Sequence, residues 1–262
     1  MRRVLRDGLV VAAVTLGAGL FLKLFVLDAC RIGSPSMEPT LLPGDYVVFD
    51  KVPFSGIFSR RFPLFSTSLP TTETTAASRL LIGDVVVFRY PGTLTDRSSA
   101  ESPLFVKRCV GLPGDSVRIT GTTVFVDSRA VTIPSLHGDG GTFGPSLVPA
   151  RGTRILLDEK PLDHWRLLIE GEGHRVGMMG KDSILLDGVC TASYTVERDY
   201  LFVVGDNLND SFDSRTWGPL DADRVVGKAV LLYWSQDPSD ARNGFWQRLL
   251  HPRWSRIGTP IR

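Results

Sequence analysis

Two serines stand two residues apart in the run Ser34-Pro35-Ser36-Met37-Glu38-Pro39-Thr40. A serine hydroxyl is a weak nucleophile and needs a base within hydrogen-bond reach before it can attack a carbonyl. Histidine is the usual base. Here His137, His164, His174 and His251 fall in loops, near a predicted helix or in the tail, none beside a turn that could frame a catalytic site. The remaining base is a lysine. Lys107 lies within Phe105-Val106-Lys107-Arg108-Cys109-Val110, an apolar strand-like run whose alternation can turn the amine towards one wall. A free lysine titrates near pH ~10.4 and is protonated at neutral pH, but burial disfavours the charged form and can bring it to the ~7–8 of a working general base. On a solvent face the same residue would be a plain strand lysine, and composition alone leaves both readings open.

Other chemistries are excluded by what is missing. There is no Gly-x-Ser-x-Gly elbow, no His-Glu-x-x-His and no P-loop, and Asp206-Asn207-Leu208-Asn209-Asp210 fails as a calcium loop because Leu208 takes a ligand position. The three cysteines, Cys30, Cys109 and Cys190, show no CxxC spacing, so neither a zinc site nor a disulfide framework is written here. Cys109 reads as core, with a Cys109–Cys190 bridge the alternative in an oxidising compartment. No metal or cofactor is expected. The 262 residues carry 30 Lys+Arg against 28 Asp+Glu, a net charge of +2, which is no footprint for nucleic acid.

The elements that must position these groups are mostly strands. Asp45-Tyr46-Val47-Val48-Phe49 and Asp84-Val85-Val86-Val87-Phe88 are short, β-branched and each introduced by Gly-Asp. Phe105–Val110 is a third, closed by the turn Leu112-Pro113-Gly114-Asp115. Further strands are expected over 117–120, 124–126, 200–204 and 225–234, half a hairpin with its Asp187-Gly188 turn over 184–189, and a short helix over 161–170. The stretch 53–80, rich in Ser, Thr, Pro and Phe, reads as a loop or a membrane-touching insertion.

Arg2, Arg3 and Arg6 precede an apolar run from Leu9 to Leu27. As a helix those residues would extend about 28 Å, enough to cross a bilayer core, and the basic start places residues 1–8 in the cytoplasm and everything after residue 28 outside. A cleaved signal peptide is the competing reading of the same run, and Leu27-Asp28-Ala29-Cys30 faintly resembles a lipoprotein cleavage box. At the other end, residues 241–262 join Arg242, Arg248, Arg253, Arg256 and Arg262 to Phe245, Trp246 and Trp254, which suits either contact with membrane lipid or a tail that covers the domain.

The ordered blocks resemble type I signal peptidases, the membrane-anchored serine–lysine endopeptidases of bacterial export. They are Ser34–Leu41, Gly83–Phe88, Lys107–Asp115 and Gly205-Asp206-Asn207 followed by Ser211-Phe212-Asp213-Ser214-Arg215. The resemblance implies a mainly β catalytic core over 28–115 and 200–240, with a variable β-rich insertion over 116–199. It implies Ser36 as nucleophile, Lys107 as general base, Ser34 in the oxyanion hole and Ser211 orienting the lysine amine. Asp213 with Arg215, and Asp206 with Arg108, become supporting ion pairs. Ile32, Met37, Leu41, Phe105 and Val106 match positions that line shallow pockets for small side chains at the first and third substrate positions before the cut. The partners so implied are exported preproteins. Two positions depart from the family pattern: Leu208 replaces a basic residue, and Gly33 a frequent proline. A maturation peptidase dedicated to one secretion or conjugation substrate, and an inactive membrane-anchored binding protein, are the alternatives. The oligomeric state is not set by the sequence.

Overall fold

Three copies of one local pattern, Leu42-Pro43-Gly44-Asp45, Leu81-Ile82-Gly83-Asp84 and Leu112-Pro113-Gly114-Asp115, start or join the strands that carry the site. In each the glycine has positive φ (89°, 101° and 95°), the conformation a turn of this shape requires. The aspartate then closes the turn twice. Its N–H donates to the leucine carbonyl at 3.0, 3.1 and 3.0 Å, and its carboxylate accepts the leucine N–H at 2.7, 3.0 and 2.7 Å. The Gly-Asp signal is thus a turn that satisfies its own backbone.

The computed structural model describes residues 2–21, 23, 26–51, 76–92, 103–157, 162–179, 183–238 and 252–262. Along the chain it forms a helix α1 (Arg2–Phe21), then β1 (Leu27–Arg31), β2 (Asp45–Asp50), β3 (Val85–Arg89) and β4 (Leu104–Gly111). Then come β5 (Ser116–Thr120), β6 (Thr123–Val126), β7 (Arg129–Val131), β8 (Thr142–Leu147), β9 (Arg154–Leu156) and α2 (Leu162–Gly171). They are followed by β10 (Val176–Met179), β11 (Ser183–Leu186), β12 (Val189–Cys190), β13 (Ser193–Thr195) and β14 (Tyr200–Val204). Last are a single-turn helix α3 (Ser214–Trp217), β15 (Leu220–Asp221), β16 (Val225–Ser235) and β17 (Thr259–Pro260). The fold is mainly β.

The main sheet runs β1-β2-β16-β3-β4-β14-β15, with β17 added on β16. β3 is a continuous apolar run buried on both faces, as a central strand should be, whereas β2 alternates buried and half-buried residues. Smaller sheets come from 116–195: β7-β6-β5-β8, β10-β11-β12 and β13-β9. They do not form a core of their own. Val117, Ile119 and Tyr194 pack in one cluster with Val110 of β4 and Phe202 and Val204 of β14.

The expected helix over 9–27 requires correction at its end. Leu27 opens β1 and pairs with Asp50, because the edge of β2 takes Leu27–Arg31 as an antiparallel partner. Residues 22, 24 and 25 of that span lie outside the described residues. Among the described residues, no helix is long and apolar enough to cross a membrane. Most of the 53–80 stretch also lies outside them, as do Arg242, Phe245, Trp246 and Arg248 of the tail. The tail residues that are described cover the domain: Arg253 donates to the Pro43 carbonyl at 3.1 Å, and Arg256 pairs with Asp45 at 2.6 Å. Trp254 stays 69% exposed. All three cysteines are free, and burial pushes the Cys109 thiol up to about 12, so it stays protonated.

Candidate active site

β4 crosses the middle of the site. Its register against β3 pairs Val86 with Lys107 and Val85 with Arg108, while β14 joins only from Arg108 onward. Between Phe202 and Val203 the β14 register shifts by one, leaving Val110 of β4 as the extra residue of a bulge. β14 then leaves the sheet at Gly205, and the chain returns through Ser211 to the N-terminus of α3. Ser36 arrives from elsewhere, on a single turn, Pro35–Met37, that follows β1.

Lys107 Nζ lies 2.6 Å from Ser36 Oγ and 3.0 Å from Ser211 Oγ. Ser34 Oγ is 3.2 Å from Ser36 Oγ. Lys107 is 3% exposed and Ser36 7%, so the amine and the hydroxyl meet away from bulk water. Burial pushes the lysine down to about 8; nearby Asp213 opposes that shift and Arg215 adds to it. About a tenth of the amine is therefore neutral at pH 7, against roughly a few in ten thousand for a free lysine, and in that state nitrogen can accept a proton.

Two ion pairs brace these four residues. Asp213 is fully buried; it accepts from Arg215 Nε at 2.9 Å, from the Arg215 N–H at 3.1 Å and from the Gly205 N–H at 3.0 Å. The Gly205 N–H also reaches Ser211 Oγ at 3.1 Å, which fixes the hydroxyl that contacts the lysine. Arg108, 2% exposed, holds Asp206 through two bonds of 2.7 Å and spends its third nitrogen on the carbonyls of Gly83 and Arg262 at 2.5 and 2.8 Å. Next to Asp206, the Asn207 N–H donates to the Ser36 carbonyl at 3.1 Å. A fully paired Arg–Asp couple is thus tied through one peptide unit to the serine backbone.

These groups open onto a cleft of about 420 Å³ lined by Arg31–Met37, Leu104–Lys107, Asp210 and Phe212. Among the described residues no histidine lines it. The arrangement suits attack by a serine oxygen on a carbonyl, with a neutral amine taking the proton.

Residues 5–234 match the family described as "Signal peptidase, peptidase S26". The chain belongs to the signal peptidase family. A "Signal peptidase I" of Aquifex aeolicus is 28% identical over 93% of this chain and 94% of its own length. That of Pseudomonas aeruginosa is 29% identical over 91% of this chain and 73% of its own, and that of Leptolyngbya laminosa 23% identical over 88% and 80%.

Within this signal peptidase chain the residues singled out from sequence fall into distinct places. Ser34, Ser36, Lys107 and Ser211 come together; Asp213 with Arg215 and Asp206 with Arg108 form the two buried pairs. Ile32, Met37, Phe105 and Val106 line the cleft. Leu41 does not: it is fully buried in the cluster with Val47, Phe49 and Leu232. Leu208, the departure from a basic residue, is core, and its carbonyl accepts from Arg215 at 3.0 Å. At Gly33 a side chain would meet open space, so no packing demand excludes one.

Sequence reasoning missed Thr40. Its hydroxyl donates to Asp206 and lies 3.3 Å from Arg108, and its carbonyl accepts from Arg256 at 2.9 Å. Asp45, fully buried, receives Arg256 and Ser235 at 2.6 Å each. Thr40 stood in the serine motif and Arg256 in the basic tail, but nothing in either stretch signals that they meet.

Proposed function

We propose that the chain is a signal peptidase I: a serine endopeptidase that removes N-terminal signal peptides from exported preproteins at the outer face of the cytoplasmic membrane. The observation that carries this reading is the buried contact of Lys107 Nζ with Ser36 Oγ at 2.6 Å, with Ser211 Oγ 3.0 Å from the same amine. Ser36 Oγ attacks the scissile carbonyl while neutral Lys107 takes its proton. Charge develops on the carbonyl oxygen, and the Ser36 N–H with the Ser34 hydroxyl stabilises it. The Lys107 ammonium then gives its proton to the leaving amine, and an acyl-enzyme ester on Ser36 remains. Lys107, neutral again, deprotonates the water that hydrolyses the ester. Ser211 acts by holding the amine on this line, as the third member of other triads orients its base.

Residues 9 to about 26 are proposed as a single uncleaved membrane anchor with a cytoplasmic N-terminus, supported by the apolar run and the arginines before it. Signal peptides lie in the bilayer with their cut sites at its surface, so an anchor that ends ten residues before Ser36 holds the nucleophile at that depth. Small side chains at the first and third positions before the cut fit the wall of Ile32, Met37 and Val106. The test is cleavage, in detergent, of a preprotein with an Ala-x-Ala site. Wild type should release the mature chain and Ser36→Ala and Lys107→Ala should not. Equal rates for all three would reject the proposal.

A further inference from the structure

The edge of β4 beside Ser36 is open. Val85–Arg89 of β3 bonds one side of Leu104–Arg108, but on the other side β14 begins only opposite Arg108, and among the described residues no strand pairs there with Leu104–Lys107. Such an edge can take an extended peptide as an added strand, whose successive side chains then point to opposite faces of the sheet. β4 itself shows what each face holds. Val106 packs with the cluster of Ile32 and Met37, whereas Phe105 packs with the cluster of Phe88 and Trp217.

The second face continues into an aromatic shelf. Tyr90 stacks on Phe105 with ring centres 4.9 Å apart, and Phe212 leans on Tyr90 at 5.9 Å. Phe212 lines the cleft and is still 50% exposed. Its backbone is pinned on both sides, since Ser211 bonds Lys107 and Asp213 bonds Arg215 and Gly205. The ring is therefore held at the mouth of the cleft with one side on Tyr90 and much of its surface in water. A half-bare aromatic on a fixed backbone can gain contact area from an incoming apolar side chain at little cost in ordering.

We infer that Phe212, seated on the Tyr90 ring that stacks on Phe105, is a specificity residue that receives an apolar side chain at the second substrate position before the cut. This rests on the signal peptidase reading above. When the first and third side chains enter the Ile32–Met37–Val106 side, the strand period turns the second towards Phe105 and Phe212. Among Ala-x-Ala sites, those whose x is leucine or phenylalanine are thereby the preferred substrates.

The experiment uses the full chain in detergent and a panel of preproteins identical except at x, with x as Leu, Phe, Ser or Asp. The readout is the ratio of kcat/KM between panel members within one enzyme, which a general loss of activity does not move. Wild type should prefer Leu or Phe over Ser by about five- to tenfold, the size of one aromatic contact. Phe212→Ala should bring that ratio close to one, and Phe212→Leu should keep most of the preference for x as Leu. If wild type cuts the whole panel at one rate, or the preference survives in Phe212→Ala, the inference is wrong while the signal peptidase reading stands. If wild type cuts none of the panel, the reading fails and the inference with it.

Discussion

A β-carbon placed on Gly205 would lie 2.3 Å from the carbonyl oxygen of Ser36 and 2.3 Å from Ser211 Oγ. The backbone of residue 205 is thus the wall against which both serines are set, and only glycine leaves room for it. Gly205→Ala must push Ser36, Ser211 or both away from Lys107. A displacement near 1 Å is enough to lower the rate about 100-fold, and the clash should cost roughly 1–3 kcal/mol of stability. Cleavage kinetics and urea unfolding of this variant check both.

Ser34→Ala should lower kcat about 10²- to 10³-fold with little change in KM. Its hydroxyl is placed 3.2 Å from Ser36 Oγ, where it can turn to an oxygen that carries charge only in the transition state. Steady-state kinetics decide it: a rise in KM alone would make Ser34 a substrate contact instead.

Breaking the Arg108–Asp206 couple from one side leaves the other charge stranded in a site that is 2% and 0% exposed. Arg108→Met and Asp206→Asn should each destabilise by about 3–5 kcal/mol, and the double variant by clearly less than their sum. Denaturant unfolding of the four proteins measures the coupling. Additive losses would mean that the pair does not act as a unit.

Lys107 makes a prediction with the opposite sign. Its amine is lowered from 10.5 to about 8, so between those values the unfolded chain binds more protons than the folded one. Stability should rise with pH across that window, and the cost of burying the ammonium is fully present below it. Lys107→Met removes that cost at pH 7, so it should be more stable than wild type, on the order of 2 kcal/mol, yet inactive. Thermal unfolding at pH 7 and pH 10 checks this, with the gain smaller at the higher pH.

Much of the site was legible in the sequence because its parts are short and rigid. The Gly-Asp turns ahead of β2 and β3 announce their strands through a local hydrogen-bond pattern, and Lys107 is marked by its apolar strand neighbours. The Ser36–Lys107 pairing itself came from family resemblance, since 71 residues of chain carry no local record of the contact. Long-range contacts stayed hidden for the same reason: Thr40 meets Asp206 across 166 residues and Arg256 across 216. Leu41 matched a pocket position, but it packs into the core, because only the fold decides which side of a turn faces the cleft. The start of β1 was hidden because its first residue, Leu27, ends the apolar run and serves a strand as well as it would a helix.

The pH dependence of kcat/KM on an Ala-x-Ala preprotein tests the central claim most directly, since it reads the group that takes the proton from Ser36. A neutral Lys107 as base predicts activity that falls tenfold per unit as pH drops below about 8, and its loss at every pH in Lys107→Ala. Activity that stays flat from pH 8 down to pH 6, or a Lys107→Ala enzyme that keeps the wild-type profile, would contradict the account.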